Sequence, residues 1–231
     1  IFENLSTKHI NNITNFKLTN DQIISINQIE SDLKSDRKMF RLLQGDVGSG
    51  KTIVALIASM NVISSGFQVC LMAPTEILAK QHYNLVKKLF NRNINTKILT
   101  SKTEYKERKE ILRDLDNNTI NIIIGTHSLF QEKIKYHNLG LIVIDEQHKF
   151  GVKQRKKLSD KGGKNCDILV MSATPIPRTM IMTVFGDMDT SIIKNKPKNR
   201  KEIKTYSKLE TKTDEVINFV KKQINQKNQV F

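Results

Sequence analysis

The chain reads as an α/β fold, with a mostly parallel β-sheet covered by helices on both faces. Three observations carry that expectation. Its short apolar runs are continuous instead of alternating, as strands buried on both faces require. The segments between them are helix-capable, the order expected when crossover helices join parallel strands. The third observation is GDVGSGKT at residues 45–52, a glycine-rich turn set between a strand candidate and a helix candidate.

Taken in order, residues 1–17 are Asn-rich and weakly patterned, and read as a linker or the remnant of a preceding element. In LTNDQIISINQIESDL, Thr19 can cap a helix in which Ile23, Ile24, Ile26, Ile29 and Leu33 recur at roughly helical spacing, with Gln22 in the first turn. MFRLLQ, residues 39–44, is the first strand, and IVALIASMNVI the helix after the glycine turn. QVCLMA, residues 68–73, is the second strand, ended by Pro74. Residues 75–90 form an amphipathic helix with Ile77, Leu78, Leu85, Leu89 and Phe90 directed at the core. Thr96–Leu99 is a short strand, and Tyr105–Asp116 a highly charged helix whose apolar side is Ile111, Leu112 and Leu115. INIIIGT ends a fourth strand at Gly125 and Thr126. LGLIVIDE delivers Asp145 and Glu146 at the tip of a fifth, and CDILVMSAT ends a sixth at Ser172 to Thr174. Residues 18–190 therefore read as one domain and the basic stretch 191–200 as a linker. Residues 201–231 read as the start of a second unit, with KEIKTYSK as a strand and 212–226 as a helix.

Composition narrows the function. With 38 Lys plus Arg against 23 Asp plus Glu, the formal charge of +15 predicts attraction to a polyanion; an AT-rich coding bias toward Lys, Asn and Ile is the competing explanation. The longest apolar runs are strand-length, and no signal peptide is visible, so a cytoplasmic protein is expected. Cys70 and Cys166 each fall in a strand candidate, as buried thiols; two such residues suggest neither a zinc site nor a disulfide framework. With no Trp and 4 Tyr, no aromatic platform for splayed bases is evident.

The chemistry concentrates at strand tips, where parallel α/β sheets gather functional residues. Gly45, Gly48 and Gly50 permit a turn whose N–H groups converge on phosphate oxygens, with Ser49 inside it. Lys51 can reach the outer phosphates of ATP, and the Thr52 hydroxyl can ligate Mg²⁺. Asp145 can hold Mg²⁺ through water while Glu146 orients and deprotonates the attacking water. His148 could hydrogen-bond toward Ser172 or Thr174, so that loss of the terminal phosphate is felt elsewhere. Thr75, Gln81, Gly125, Thr126 and His127, with Lys102 and Lys106, offer backbone N–H groups, hydroxyls and charge suited to nucleic-acid phosphates. Lys153, Arg155, Lys156 and Lys157 form the densest basic cluster.

GDVGSGKT, MAPTEILAKQH, GTHSL, DEQHKFGVKQR and MSATPIPRTM together resemble the first motor domain of the bacterial RecG family of branched-DNA helicases, within the second helicase superfamily. The resemblance runs from about Phe16 to Arg200. It implies a RecA-like P-loop NTPase fold, ATP and Mg²⁺ as cofactors, and duplex and branched DNA as partners. It further implies an approach of Gln22 to the adenine side, coupling roles for His148, Ser172 and Thr174, and DNA-facing positions for Pro74, Thr75, Gly125 and Thr126. The family's N-terminal wedge domain and most of its second RecA-like domain are absent from this sequence. The chain alone is therefore expected to bind nucleotide weakly and hydrolyse it barely. Two other readings stay open: the first motor domain of transcription-repair coupling factor, and a nucleic-acid-binding module whose ATPase has decayed.

Overall fold

Seven strands form one sheet whose five inner strands are built from runs in which most or all residues are buried, and successive side chains serve its opposite faces. The strands are β1 (Phe40–Gly45), β2 (Gln68–Met72), β3 (Thr96–Leu99), β4 (Ile122–Gly125), β5 (Leu139–Ile144), β6 (Asp167–Ser172) and β7 (Asp189–Ile193). The computed structural model describes residues 17–90, 94–130, 134–145, 166–174, 188–195 and 205–230. Strand order is β3-β4-β2-β5-β6-β1-β7, and every neighbouring pair is parallel. Leu43, Val69, Leu71, Ile124, Val143 and Leu169 pack on one face; Leu42, Cys70, Met72, Ile123, Ile142 and Val170 pack on the other. Burying each such aliphatic side chain contributes roughly 1.5–3 kcal/mol, so the core resides in the sheet itself.

Helices cover both faces. Against the first lie α1 (Asn20–Leu33), α2 (Lys51–Ser64) and α3 (Glu76–Phe90), through residues such as Ile26, Ile29, Val54 and Val86. Against the second lies α4 (Tyr105–Asp116), through Ile111 and Leu115. This is the expected α/β architecture, a RecA-like P-loop NTPase fold.

Two helical faces differ from expectation. On α1, Ile23 and Ile24 are exposed at 41% and 55%, while Gln22 and Ser25 are buried. The reason is local. Thr19 and Gln22 form a reciprocal cap, with Thr19 N–H donating to Gln22 Oε1 at 2.9 Å, which turns Gln22 inward. On α3, Ile77 is 73% exposed, and the inward face runs through Ala79, His82, Val86 and Leu89.

The sheet also continues past residue 190, where a linker was expected to begin. Strand β7 extends to Ile193 because Ser191 and Ile193 are buried at the sheet edge. Arg41 donates to Ser191 Oγ at 3.0 Å, and the N–H groups of Lys194 and Asn195 both donate to Asp21 Oδ2 at 2.9 Å.

The chain divides into two units, Ile1–Lys198 and Asn199–Phe231. In the second, a 3₁₀ turn, Glu210–Lys212, leads into α5 (Thr213–Asn225). Asp214 and Glu215 lie in its first turn, where negative charge favours a helix N-terminus. Of the expected strand KEIKTYSK, residues 205–208 have no regular secondary structure, and 201–204 lie outside the described residues.

Candidate functional site

The glycine turn joins β1 to α2 at the C-terminal edge of the sheet. Gly48 and Gly50 have φ of 75° and 88°, the left-handed region that a side chain disfavours. A Cβ on Gly50 would also overlap the Gln22 carboxamide. That carboxamide is part of the site's framework: Gln22 is buried, and its Nε2 donates to the Ser49 carbonyl at 2.8 Å. The first helical turn of α1 thus holds the loop, 27 residues away in sequence. The adenine role implied for Gln22 is a separate matter, since here its amide oxygen and nitrogen bind Thr19 and Ser49.

Lys51 is buried, and its Nζ donates to the carbonyls of Gly45 at 2.6 Å and Asp46 at 3.0 Å. Thr52, half-buried, follows it in the first turn of α2. Ser49 Oγ is buried with no hydrogen-bond partner among the described residues. A loop with an unsatisfied hydroxyl, an ammonium and two left-handed glycines at a helix N-terminus fits the phosphates of a nucleotide.

Asp145 follows β5 directly, buried, with its N–H donating to Met72 O at 2.8 Å. Strand β6 alone separates β5 from β1, so the acid and the glycine turn leave the same edge of the sheet about 10 Å apart at their strand ends. A carboxylate and a hydroxyl are hard oxygen donors of the kind Mg²⁺ takes, so Thr52 and Asp145 fit that ion. Among the described residues, no group of three or more His, Cys, Asp or Glu is placed to hold a metal. Glu146 and His148 lie outside the described residues, as do Lys153, Arg155, Lys156 and Lys157. Ser172, buried at the end of β6, donates from Oγ to the Thr174 carbonyl at 3.1 Å.

The other half of this edge carries the residues considered for nucleic acid. Thr75 is exposed and Pro74 half-buried before α3; Thr126 is half-buried after β4. Thr75 Oγ1 accepts from Leu78 N–H at 3.3 Å, so it also caps the helix. Gly125 is buried, and a Cβ there would overlap the Leu99 carbonyl, which makes its glycine a packing requirement of β3 and β4. Glu76 accepts from Ser101 Oγ at 2.6 Å and pairs with Lys102 at 3.2 Å. The Ser101 hydrogen bond, with help from Lys102, lowers the Glu76 carboxyl below its ordinary range.

One contact was not anticipated. His82, given no role by sequence reasoning, is buried on α3, and its Nε2 lies 2.8 Å from Asp145 Oδ2. The available signal was its register, three residues after Ala79 and four before Val86, on the inward face of α3. The thiols take no part: burial pushes Cys166 up to about 12, and Cys70 is also buried.

A parallel sheet with this glycine-lysine turn after its first strand and an acid after its fifth defines a P-loop nucleoside triphosphatase domain. The DEAD/DEAH box helicase family model matches residues 19–183, and the chain belongs to that family, whose members use ATP and Mg²⁺. Within it, the chain is 47% identical over 217 residues to the ATP-dependent DNA helicase RecG of Borreliella burgdorferi, covering 94% of this chain and 32% of that protein. It is 48% identical over 217 residues to the RecG of Bacillus subtilis, with the same coverage of 94% and 32%. A structure of RecG bound to a three-way DNA junction superposes with a TM-score of 0.84 at 42% identity, covering 96% of this chain and 30% of that one. A DEAD box protein from Methanococcus jannaschii shares the fold, with a TM-score of 0.64 at 21% identity, over 95% of this chain and 61% of that one. The chain spans about a third of the length of the curated relatives it matches. Among the described residues, no helix is long and apolar enough to cross a membrane.

Proposed function

We propose that this chain is the ATP-binding motor domain of a helicase or translocase acting on branched DNA in recombination and repair. The observation that carries the reading is the exit of Lys51 and Asp145 from one edge of a parallel sheet, with a single strand between their own. Similarity to RecG, including one solved on a three-way junction, supports the branched-DNA part. A bound Mg²⁺–ATP would supply the phosphoryl group and a metal to neutralise developing charge on its oxygens.

The chain's own residues do the rest. Lys51 exchanges the Gly45 and Asp46 carbonyls for phosphate oxygens, and the N–H groups of Gly48 to Thr52 bind the remainder. Thr52 and Asp145 would hold the metal, Asp145 through water. Glu146, next along the chain, orients and deprotonates the attacking water. His148, Ser172 and Thr174 relay the nucleotide state. Pro74, Thr75, Gly125 and Thr126 take the DNA-facing side, where main-chain and hydroxyl contacts to phosphates give affinity without sequence readout. Titration with a fluorescent ATP analogue tests the core of this reading. The wild-type chain is expected to bind and Lys51→Ala to lose most of that binding; equal binding by both would favour a domain whose nucleotide site has decayed.

A further inference from the structure

We infer that His82 is a positioning residue for the metal carboxylate: its Nε2–H fixes the rotamer of Asp145 so that the free carboxylate oxygen is presented to the water through which Asp145 holds Mg²⁺. The inference rests on the proposed role of Asp145 in holding the metal of bound ATP. It adds a residue that this role does not require.

The geometry is specific. Both side chains are buried, at 8% and 12% side-chain exposure, and Nε2 lies 2.8 Å from Oδ2. In the Nε2–H tautomer the imidazole donates and the carboxylate oxygen accepts, the arrangement this contact suits. Asp145 stands just past the end of β5, where no further strand pairing fixes its side chain. Its N–H is held by Met72 O, which sets the backbone but leaves the carboxylate free to rotate. One oxygen engaged by His82 removes that freedom and leaves the second for a ligand.

The donor itself is firmly held. Ala79 and Val86, on either side of His82 along the inward face of α3, are fully or almost fully buried. The first turn of α3 is tied down by the Thr75 cap and by Glu76 with Ser101 and Lys102. A carboxylate oriented by a rigid partner holds a metal, directly or through its water, better than one that must be ordered on binding; for partners of direct ligands the loss on removal is about 10–100-fold, and a water-mediated carboxylate falls at the low end. The same contact joins the helix that begins beside Pro74 and Thr75 to the proposed metal carboxylate. A buried His–Asp pair that only fills the core would make the same hydrogen bond, so the test must read the metal.

Affinity for a fluorescent ATP analogue is measured with Mg²⁺ and with EDTA for the wild-type chain, His82→Ala, His82→Leu, His82→Gln, Asp145→Asn and Lys51→Ala. His82→Ala and His82→Leu are expected to keep the EDTA affinity and to lose about tenfold of the gain that Mg²⁺ provides. His82→Gln, which keeps an amide donor near Nε2, recovers most of it. Leu fills the imidazole volume without a donor, so it carries the test if the Ala variant does not fold. An unchanged Mg²⁺ gain in His82→Leu, or a Gln variant no better than Leu, would overturn the assignment of His82 alone. A full Mg²⁺ gain in Asp145→Asn, or wild-type binding that Lys51→Ala does not reduce, would overturn the proposed metal or nucleotide site, and this inference with it.

Discussion

Replacing Gly50 with Ala probes how the phosphate loop is held in shape. The residue has φ of 88°, and an L side chain in that region costs roughly 1–2 kcal/mol. The new Cβ would also overlap the Gln22 carboxamide, which must swing away and give up its 2.8 Å hydrogen bond to the Ser49 carbonyl. Stranding a buried acceptor costs about 1–3 kcal/mol more, for a total of about 2–5 kcal/mol. The two costs are separable because the second belongs to Gln22. In a Gln22→Ala background the overlap has no partner, so adding Gly50→Ala should cost only the left-handed term of about 1–2 kcal/mol. Urea unfolding followed by circular dichroism on the wild type, both single variants and the double variant gives the cycle. Strictly additive costs would refute the idea that Gln22 and Gly50 share one contact. So would a Gly50→Ala variant as stable as wild type.

Two further substitutions test the sheet. Asp167, at the start of β6, is raised from 3.8 to about 6 by burial, against a lowering hydrogen bond from Met39 N–H at 2.7 Å. Since the folded state holds the proton more tightly, its contribution is present below about pH 4 and is lost as pH rises through about 6. Asp167→Asn, which keeps an acceptor for Met39, should therefore raise the urea midpoint at pH 7.5 while barely changing it at pH 4; a parallel pH dependence in the two proteins would count against the buried charge. Gly125→Ala, whose Cβ would meet the Leu99 carbonyl, should destabilise by about 1–3 kcal/mol through forced separation of β3 and β4. If Gly125→Ala unfolds at the wild-type urea concentration, that overlap is relieved without cost and the packing account of Gly125 fails.

The strands and the phosphate loop were legible because their physics is local. A continuous apolar run has one stable use in a parallel sheet, and glycines at 48 and 50 announce a backbone that only glycine adopts readily. The inward faces of α1 and α3 were not, because isoleucines at 23, 24 and 77 compete with the true core positions in periodicity. The buried polar groups of Gln22 and His82 are satisfied by partners, Ser49 and Asp145, that lie 27 and 63 residues away. A polar residue on a buried face cannot be recognised until its partner is known. Strand β7 was hidden for a related reason. DTSII is half exposed and polar, and its pairing is secured by Arg41 and Asp21 from other elements.

The most direct test of the nucleotide reading uses a paramagnetic ion in place of Mg²⁺. With the backbone amides of the chain assigned by NMR, Mn²⁺ added with ADP should broaden the signals of Gly50, Lys51 and Thr52 together with that of Asp145, while those of α4 persist. Broadening at the glycine turn with Asp145 untouched would contradict the claim that the two strand ends serve one metal–nucleotide site.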